Sequence, residues 1–480
     1  MARIVVVGAG VAGLGVALSA GRSGHRVVLV ERDDTPLPED PHGAFDWDRR
    51  GAPQVRHSHA FLARLHNLLR DRHPDVLDAL LSAGATPLDF ISMLPDTMDR
   101  SPMEGDDELV ALACRRTTFE WVLRRSALQR SEVALHHGVR VTELVVDGGA
   151  DIPRVTGVRL DDGVVVEGDL VVLCGGRRSD VPALLAPHGI AVPEVVEDTG
   201  IVYYSRFFAL RDGEELPPQV GPIGGDLQYL KYGVFPGDNR TFSITLAART
   251  DDTELRRHLR DPIGFGAVAA SVPGLAAHVA PTRSEPITDV HVMAGLLNRQ
   301  RRFLLDDSPV VLGLHVVGDA HTCTNPLYGR GCSLAMVQAQ LLTDALDEHG
   351  TDHLARAVAF ERATEREVVP WYRAAVAQDR AARSAATTGA ADGSSGPSGD
   401  AATPDIAEVV RDGLVPALRT DPVVLRAFLR MFNLLAAPDS ILSDGDVLTR
   451  VMAVYADRAN RPAEAPQGPR RDELLAGLTA

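Results

Sequence analysis

The sequence has almost no lysine and no apolar run long enough to cross a membrane. Lys231 is the single lysine among 49 basic residues, and the 480-residue chain has a formal net charge of −16 at pH 7. Because phosphate binding needs a basic face, this balance predicts no nucleic-acid partner. The first residues have the pattern of a strand rather than of a signal peptide, so we expect no stable membrane insertion and a cytoplasmic location.

Cysteine is also scarce. The four cysteines, Cys114, Cys174, Cys323 and Cys332, form no CxxC pair and have no metal-ligand spacing. Structural metal sites and dithiol redox centres need clusters of that kind. We therefore expect a reducing compartment and no metal site.

The N-terminal residues have a strand–turn–helix–strand pattern. An apolar run at 3–7 leads into the turn GAGVAG at 8–13, and a predicted helix follows to about Arg22. In a GxGxxG turn the first glycine permits the turn, the second lets backbone approach a pyrophosphate, and the third lets the helix pack on the strand. The helix N-terminus then favours bound phosphate. The predicted nucleotide contacts are Gly8, Gly10, Val11, Ala12, Gly13, Glu31 and Arg32.

Glu31 ends the second apolar strand, roughly twenty residues after the glycine turn. A carboxylate at this place holds a ribose hydroxyl, and it would repel a 2′-phosphate. The turn therefore predicts FAD or NAD(H) as the bound dinucleotide, rather than NADPH.

A second motif lies about three hundred residues further on. The apolar run 310–317 ends in Gly318-Asp319 and enters the loop NPLYGRG at 325–331, which leads into another predicted helix. With the glycine turn, these residues make the chain similar to flavoprotein monooxygenases of the para-hydroxybenzoate hydroxylase type and to their relatives, the geranylgeranyl reductases and flavin-dependent halogenases. The resemblance covers roughly residues 1–380.

The resemblance implies FAD as the cofactor and assigns residues to it. Asp319 would hold the ribityl chain, Pro326 would lie along the flavin, and Arg56 would meet the pyrophosphate. A helix N-terminus aimed at the pyrimidine end of the ring would stabilise the anion that develops on reduction. The full set of contacts implied beyond the glycine turn is Arg56, Arg116, Val141, Gly176, Gly318, Asp319, Pro326, Gly329, Gly331, Cys332 and Ser333.

The apolar patterns and the resemblance together predict an α/β fold, and alternating apolar residues at about 190–307 predict the sheet of its second domain. The expected fold consists of a Rossmann-like FAD-binding domain, a second sheet-based substrate domain and a helical C-terminal tail. The FAD-binding domain is expected in three parts, 1–85, 108–189 and 308–384. The other expected segments are a substrate-domain excursion at 86–107, the substrate domain at 190–307, a flexible linker at 385–403 and a helical C-terminal region at 404–480.

The loop NPLYGRG and the stretch PQVRHSH at 53–59 are most similar to a bacterial subgroup that includes the epoxidases of polyether biosynthesis. Two departures from the wider family matter. Cys174-Gly175-Gly176 lacks the aspartate of the family's Asp-Gly motif, and no second GxGxxG is present. Electrons would therefore come from transiently bound NAD(P)H or from a separate flavin reductase. No lysine or WxWxIP stretch supports halogenation.

Three functions stay open from the sequence. The first is a monooxygenase that transfers one oxygen atom of O2 to a hydrophobic small molecule of secondary metabolism, such as antibiotic biosynthesis. The second is a reductase or dehydrogenase of a carbon–carbon double bond, and the third is a flavin-binding protein without turnover. A homodimer also stays open, and no residue is assigned to catalysis. The candidate substrate contacts are Tyr203, Tyr204, Arg206, Tyr229 and Tyr232.

Two histidines stand just before a helix that the apolar spacing predicts from about residue 61, and they allow two interpretations. His57 and His59 could face a ligand, or they could cap and pack the helix.

Overall fold

Five strands form the parallel sheet that the N-terminal pattern predicts. The computed structural model describes residues 1–95, 97–149, 151–218, 224–388, 406–461 and 467–479. Every neighbouring pair in this nucleotide sheet is parallel. Because parallel strands end at a common edge, the glycine turn and the Gly318-Asp319 motif meet there. Across the sheet, the strands are Leu314–Val316, Leu170–Leu173, Arg3–Val7, Arg26–Glu31 and Val133–His137.

The two faces of the nucleotide sheet are covered by different elements. Ile4 and Val6 pack against helices on one face, while Val5 packs against an antiparallel meander on the other. This division follows from the alternation of side chains along a strand. The helices on the first face are Val11–Arg22, Ala63–Arg72, Pro74–Ser82, Arg116–Leu128, Gly331–His349 and His353–Glu367. The elements on the second face are Val141–Asp147, Arg154–Leu160, Val165–Glu167 and the short helix Val181–Leu185.

The second domain is built on a mainly antiparallel sheet, as expected. Its strands in order are Gly224–Asp226, Leu230–Pro236, Thr241–Arg249, Ile201–Leu210 and Ser284–Pro286, and His291–Met293 also pairs with Ile201–Leu210. Two helices follow the strand Thr241–Arg249, at Thr253–Arg260 and Pro262–Ser271. The break between them has a local cause, because Pro262 has no N–H and Asp261 caps the second helix through the Gly264 N–H at 2.7 Å. A third short helix, Pro273–Ala276, follows.

Smaller sheets and turns join the two domains. The remaining strands are Glu194–Asp198 with Leu297–Arg301 and Thr322–Cys323, Leu304–Leu305 with Ser308–Pro309, and Thr86–Asp89 with Val110–Ala113. The 3-10 turns are Gly43–Asp46, Pro53–Arg56, Asp106–Glu108, Gly176–Arg178, Ala186–His188, Gly318–Ala320, Pro326–Tyr328 and Arg458–Asn460.

The C-terminal region is helical and packs on the rest of the chain. Arg426 forms an ion pair with Asp106 at 2.9 Å, and Arg471 forms one with Asp252 at 2.8 Å. The first of these contacts joins the C-terminal region to the 86–107 segment. The helix Val369–Thr388 precedes this region. Its own elements are the helices Ile406–Val409, Val415–Ala417, Pro422–Phe432, Ser440–Ser443, Gly445–Ala456 and Arg471–Thr479, with a π-helical turn at Val410–Leu414.

The expected linker at 385–403 starts too early. Residues 385–388 still belong to the helix Val369–Thr388, and 389–403 lie outside the described residues. Within the described ranges, no helix is both long and apolar enough to span a membrane.

Candidate functional site

One cavity of about 370 Å³ runs from the carboxyl edge of the nucleotide sheet to the second-domain sheet. It joins the glycine turn, the Gly318-Asp319 turn and the strand Ile201–Leu210, which are far apart in the sequence. Some residues of the stretches 7–12, 30–32, 49–60, 139–141, 174–179 and 319–335 line it, together with Arg116, Leu184, Tyr203, Ser205, Thr245, Met293 and Leu297.

The three glycines of the turn play different structural roles. Gly8 has φ +104°, and a Cβ there would lie 2.7 Å from the Cys174 carbonyl oxygen. A Cβ on Gly13 would lie 1.8 Å from the Gly8 oxygen, so Gly13 serves the packing of helix on strand and does not line the cavity. A Cβ on Gly10 would meet no atom within 4 Å. Gly10 therefore borders open space that a pyrophosphate can approach.

Glu31 lines the cavity and also braces the glycine turn. Its carboxylate accepts hydrogen bonds from the Ala9 N–H at 2.8 Å and from the Asp33 N–H at 3.0 Å. Each oxygen keeps a second lone pair, so the carboxylate can still accept from a ribose hydroxyl.

A buried arginine that sequence reasoning missed connects this turn to the rest of the site. Arg49 donates to Glu120 at 2.7 Å, to Asp33 at 2.9 Å and to the Ala9 carbonyl at 3.1 Å. Burial by itself would lower the pKa of Arg49, but the carboxylates of Glu120, Glu31 and Asp33 raise it above its ordinary value. Nothing in the polar stretch 33–50 marks this arginine, since its partners come from three separate segments of the chain.

Glu120 links Arg49 to Arg116, which also lines the cavity. The fully buried Glu120 carboxylate accepts from Arg116 at 2.9 Å, and Arg116 donates to the Cys332 sulfur at 2.8 Å. Burial alone would raise the pKa of Glu120, but Arg49 and Arg116 hold it below its usual value. The contact with Cys332 brings together the first turns of two helices, Arg116–Leu128 and Gly331–His349.

Asp319 lies in the cavity wall with its carboxylate unused. Among the described residues no group donates a hydrogen bond to it, and burial raises its pKa against the opposing effect of Arg116, Arg177 and Arg299. Gly318 does not line the cavity, but it allows this turn to pack closely against the helix Val11–Arg22. It has φ +71°, and a Cβ there would lie 2.8 Å from the Ala12 Cβ.

The loop at 325–331 is held from behind by Asp379 on the helix Val369–Thr388. The buried Asp379 carboxylate accepts from the side chains of Asn325 at 2.9 Å, Tyr328 at 2.9 Å and Asn298 at 2.6 Å. Arg330 is also buried, and its guanidinium carbon lies 4.9 Å from the ring centroid of Tyr328. Sequence reasoning missed Asp379, because its helical stretch carries no motif.

The other predicted cofactor contacts divide into two groups. Arg56 is exposed, and Ser333 is buried behind the wall; neither lines the cavity. Arg49, rather than Arg56, contacts the glycine turn, through the Ala9 carbonyl at 3.1 Å. The residues that do line the cavity are Val11, Ala12, Arg32, Val141, Gly176, Pro326, Gly329, Gly331 and Cys332.

Of the five candidate substrate contacts, Tyr203 alone lines the cavity. Tyr204 and Arg206 lie on the same strand, where Tyr204 is part of the domain core and Arg206 donates to the Thr288 and Pro262 carbonyls. Tyr229 and Tyr232 also pack against that core. The expectation for Tyr204 and Arg206 is wrong because neighbouring side chains alternate across a strand, so neither neighbours Tyr203 on its face.

His57 and His59, whose role the sequence left open, both line the cavity. Burial lowers the pKa of each imidazole to about 3. The four cysteines are free thiols, and the described part of the chain contains no cluster that could hold a metal ion.

The residues present fit FAD. The open space at Gly10 suits a pyrophosphate, Glu31 suits the ribose, and the unengaged Asp319 carboxylate suits a hydroxylated chain. The N-terminus of the helix Gly331–His349 borders the same cavity.

Comparison with known proteins agrees with this fit. Residues 3–44 match the family described as Pyridine nucleotide-disulphide oxidoreductase. The chloroplastic zeaxanthin epoxidase of Oryza sativa subsp. japonica is 28% identical over 247 residues, covering 50% of this chain and 32% of that protein. The chain therefore spans about a third of the length of the curated relatives that it matches.

Two solved structures share the architecture. PqsL of Pseudomonas aeruginosa, described as a probable FAD-dependent monooxygenase, has a TM-score of 0.56 and 18% identity over 81% of this chain and 96% of its own. The anhydrotetracycline hydroxylase OxyS of Streptomyces rimosus has a TM-score of 0.56 and 20% identity over 91% of this chain and 76% of its own. The chain therefore shares its fold with these two solved structures.

Proposed function

We propose that this chain is an FAD-dependent monooxygenase, a hydroxylase or epoxidase, that acts on a largely apolar small molecule of secondary metabolism. The observation that carries the proposal is the single cavity that joins the nucleotide turns to the second-domain sheet. Such a cavity holds a dinucleotide at one end and a substrate at the other.

The protein groups would mainly bind, orient and exclude water. Bound FAD would supply the redox chemistry with O2. Asp319 would hold the cofactor by accepting hydrogen bonds, and the N–H groups that begin the helix Gly331–His349 would favour negative charge beside them. Tyr203, Met293 and Leu297 give the second-domain wall apolar surface, which keeps water from the reacting atoms.

The same proposal covers the electron source and the partners. No second GxGxxG is present, so NAD(P)H binds transiently or a separate flavin reductase delivers electrons. We also expect a cytoplasmic location, no nucleic-acid partner and no stable membrane insertion, and a homodimer stays open. Similarity to bacterial biosynthetic epoxidases supports a substrate of the polyketide or terpenoid type.

Oxygenation is favoured over reduction of a double bond. The rice relative is named as an epoxidase and the Streptomyces structure as a hydroxylase, and both names describe oxygen transfer. We therefore rank the reductase second.

The test begins with the absorbance of the purified protein. We expect a flavin spectrum in the wild type and its loss in Asp319→Ala, with Asp344→Ala, an exposed site on the helix Gly331–His349, as the matched control. The reduced holoprotein is then mixed with O2 in the presence of candidate substrates. An oxygenated product supports the proposal. Anaerobic reoxidation by an unsaturated substrate, with peroxide as the only product of O2, would establish the reductase instead.

A further inference from the structure

Two histidines, His57 and His59, line the wall of the cavity. His57 follows a 3-10 turn in extended backbone, with φ −120° and ψ 163°. The pKa values of about 3 of the two histidines, caused mainly by burial, make both rings neutral at physiological pH.

The tautomer of His59 follows from its backbone contact. Its Nδ1 lies 2.9 Å from the His57 carbonyl oxygen, which can only accept. Nδ1 therefore carries the hydrogen, and in a neutral ring Nε2 is then an acceptor.

The tautomer of His57 follows from a chain of hydroxyl groups. Thr245 donates to Ser58 at 2.7 Å, and Ser58 donates to Ser243 at 2.7 Å. Because the Thr245 hydrogen is committed, Ser205 must donate in its 2.8 Å contact with Thr245. The Ser205 hydroxyl can then only accept from His57 Nδ1, which lies 3.1 Å away. His57 therefore also has its hydrogen on Nδ1 and a lone pair on Nε2.

Neither Nε2 atom has a partner among the described residues. Neither is sealed from accessible space, unlike the buried polar atoms that lack a partner elsewhere in the chain. Met293 and Leu297 line the same cavity with apolar side chains, and Ser58, Ser205 and Thr245 line it with hydroxyl groups. Besides burial, the positive charges of Arg177 and Arg116 lower the pKa values of His57 and His59, respectively. A ligand in this cavity therefore meets apolar side chains together with two neutral hydrogen-bond acceptors.

We propose that His57 and His59 select a substrate with an apolar body and a neutral hydroxyl group, phenolic, enolic or alcoholic, which donates a hydrogen bond to Nε2 of one of these rings. The inference rests on the proposed function and narrows its substrate class. An ether or hydrocarbon of the same shape lacks the donor and leaves both acceptors unpaired, which lowers its affinity.

The test uses a matched pair of probes on the FAD-loaded protein without turnover. 2-Naphthol and 2-methoxynaphthalene differ in the presence of a hydroxyl donor, and calorimetry with the change in flavin absorbance reports their binding. We expect 2-naphthol to bind the wild type about five- to tenfold more tightly. The ratio should fall toward one in the double variant His57→Phe/His59→Phe and recover in part in His57→Gln/His59→Gln, whose amide oxygens can accept.

The control is His66→Phe, a buried histidine paired with Asn67 outside the cavity, which should keep the wild-type ratio. An inactive fraction of protein affects both probes equally and cancels in the ratio of their affinities. Partial misfolding therefore cannot imitate a loss of preference for 2-naphthol. Equal affinities in the wild type, a ratio that survives the double Phe variant, or failure of both probes to bind would overturn the assignment. Loss of FAD from the Phe variants before any probe is added would also overturn it, because the cofactor would then use these acceptors. The proposed monooxygenase activity is measured separately and stands or falls on product formation.

Discussion

Replacing Glu120 by glutamine tests the buried charge network that joins the glycine turn to the flavin side of the cavity. The carboxylate is fully buried and accepts from Arg49 at 2.7 Å and from Arg116 at 2.9 Å. Glutamine keeps the shape, but it removes the negative charge and leaves one accepting oxygen for two guanidinium groups.

The expected loss of stability follows from the cost of leaving charge buried without its partner. Breaking a buried ion pair costs about 3–5 kcal/mol. Because the amide oxygen still accepts from one arginine, we expect the lower value, about 3 kcal/mol, in the free energy of unfolding of the FAD-free protein. Urea unfolding followed by circular dichroism measures it. The control is Asp71→Asn, an exposed carboxylate beside Arg70, for which we expect about 0.5 kcal/mol or less.

The same comparison has a pH dependence with a defined sign. The two arginines hold the folded-state pKa of Glu120 below its ordinary value of 4.5, despite the opposing effect of burial. A depressed carboxyl pKa gives stability that is present above the unfolded-state value and is lost as the pH falls toward the folded-state value. The difference in the free energy of unfolding between wild type and Glu120→Gln should therefore be largest at pH 7 and should decrease below pH 4.5. An unfolding midpoint equal to that of Asp71→Asn, or a difference that does not change with pH, would refute the reasoning.

Three further substitutions test the glycine turn and the contacts that Asp379 makes with the 325–331 loop. Gly13→Ala should destabilise the FAD-free protein by about 3 kcal/mol, because its Cβ would lie 1.8 Å from the Gly8 carbonyl oxygen. Gly10→Ala should change the stability of the FAD-free protein by no more than about 1 kcal/mol, because its Cβ would enter open space. The same Cβ should weaken the binding of FAD. Thermal unfolding measures the first effect and fluorescence titration the second. Asp379→Asn should raise the FAD dissociation constant about tenfold by weakening the bonds that hold the 325–331 loop, whereas Asp344→Asn should not change it. Unchanged affinity in Asp379→Asn would confine Asp379 to a structural role.

The nucleotide-binding half of the fold was predictable because its signals are local. Gly8 and Gly13 stand where a turn and a helix contact leave no room for a Cβ, and such requirements appear directly as residue type and spacing. Apolar periodicity likewise predicted the sheet of the second domain. The resemblance predicted Asp319, because a Gly-Asp pair follows the apolar strand Leu314–Val316. This strand runs parallel to Arg3–Val7 in the nucleotide sheet.

Only the tertiary structure decided which distant residues complete the site. Arg49, Glu120 and Asp379 act through partners that lie up to 81 residues away, and no spacing rule encodes such a pairing. Alternation along a strand separates Tyr203 from Tyr204, but it does not say which of the two faces the cavity. That choice is made when the helices cover one face of the second-domain sheet and leave the other toward the nucleotide. The sequence by itself therefore determined the nucleotide turn and the class of fold, while long-range packing decided the charge network, the contacts of the 325–331 loop and the face of the second-domain sheet that lines the cavity.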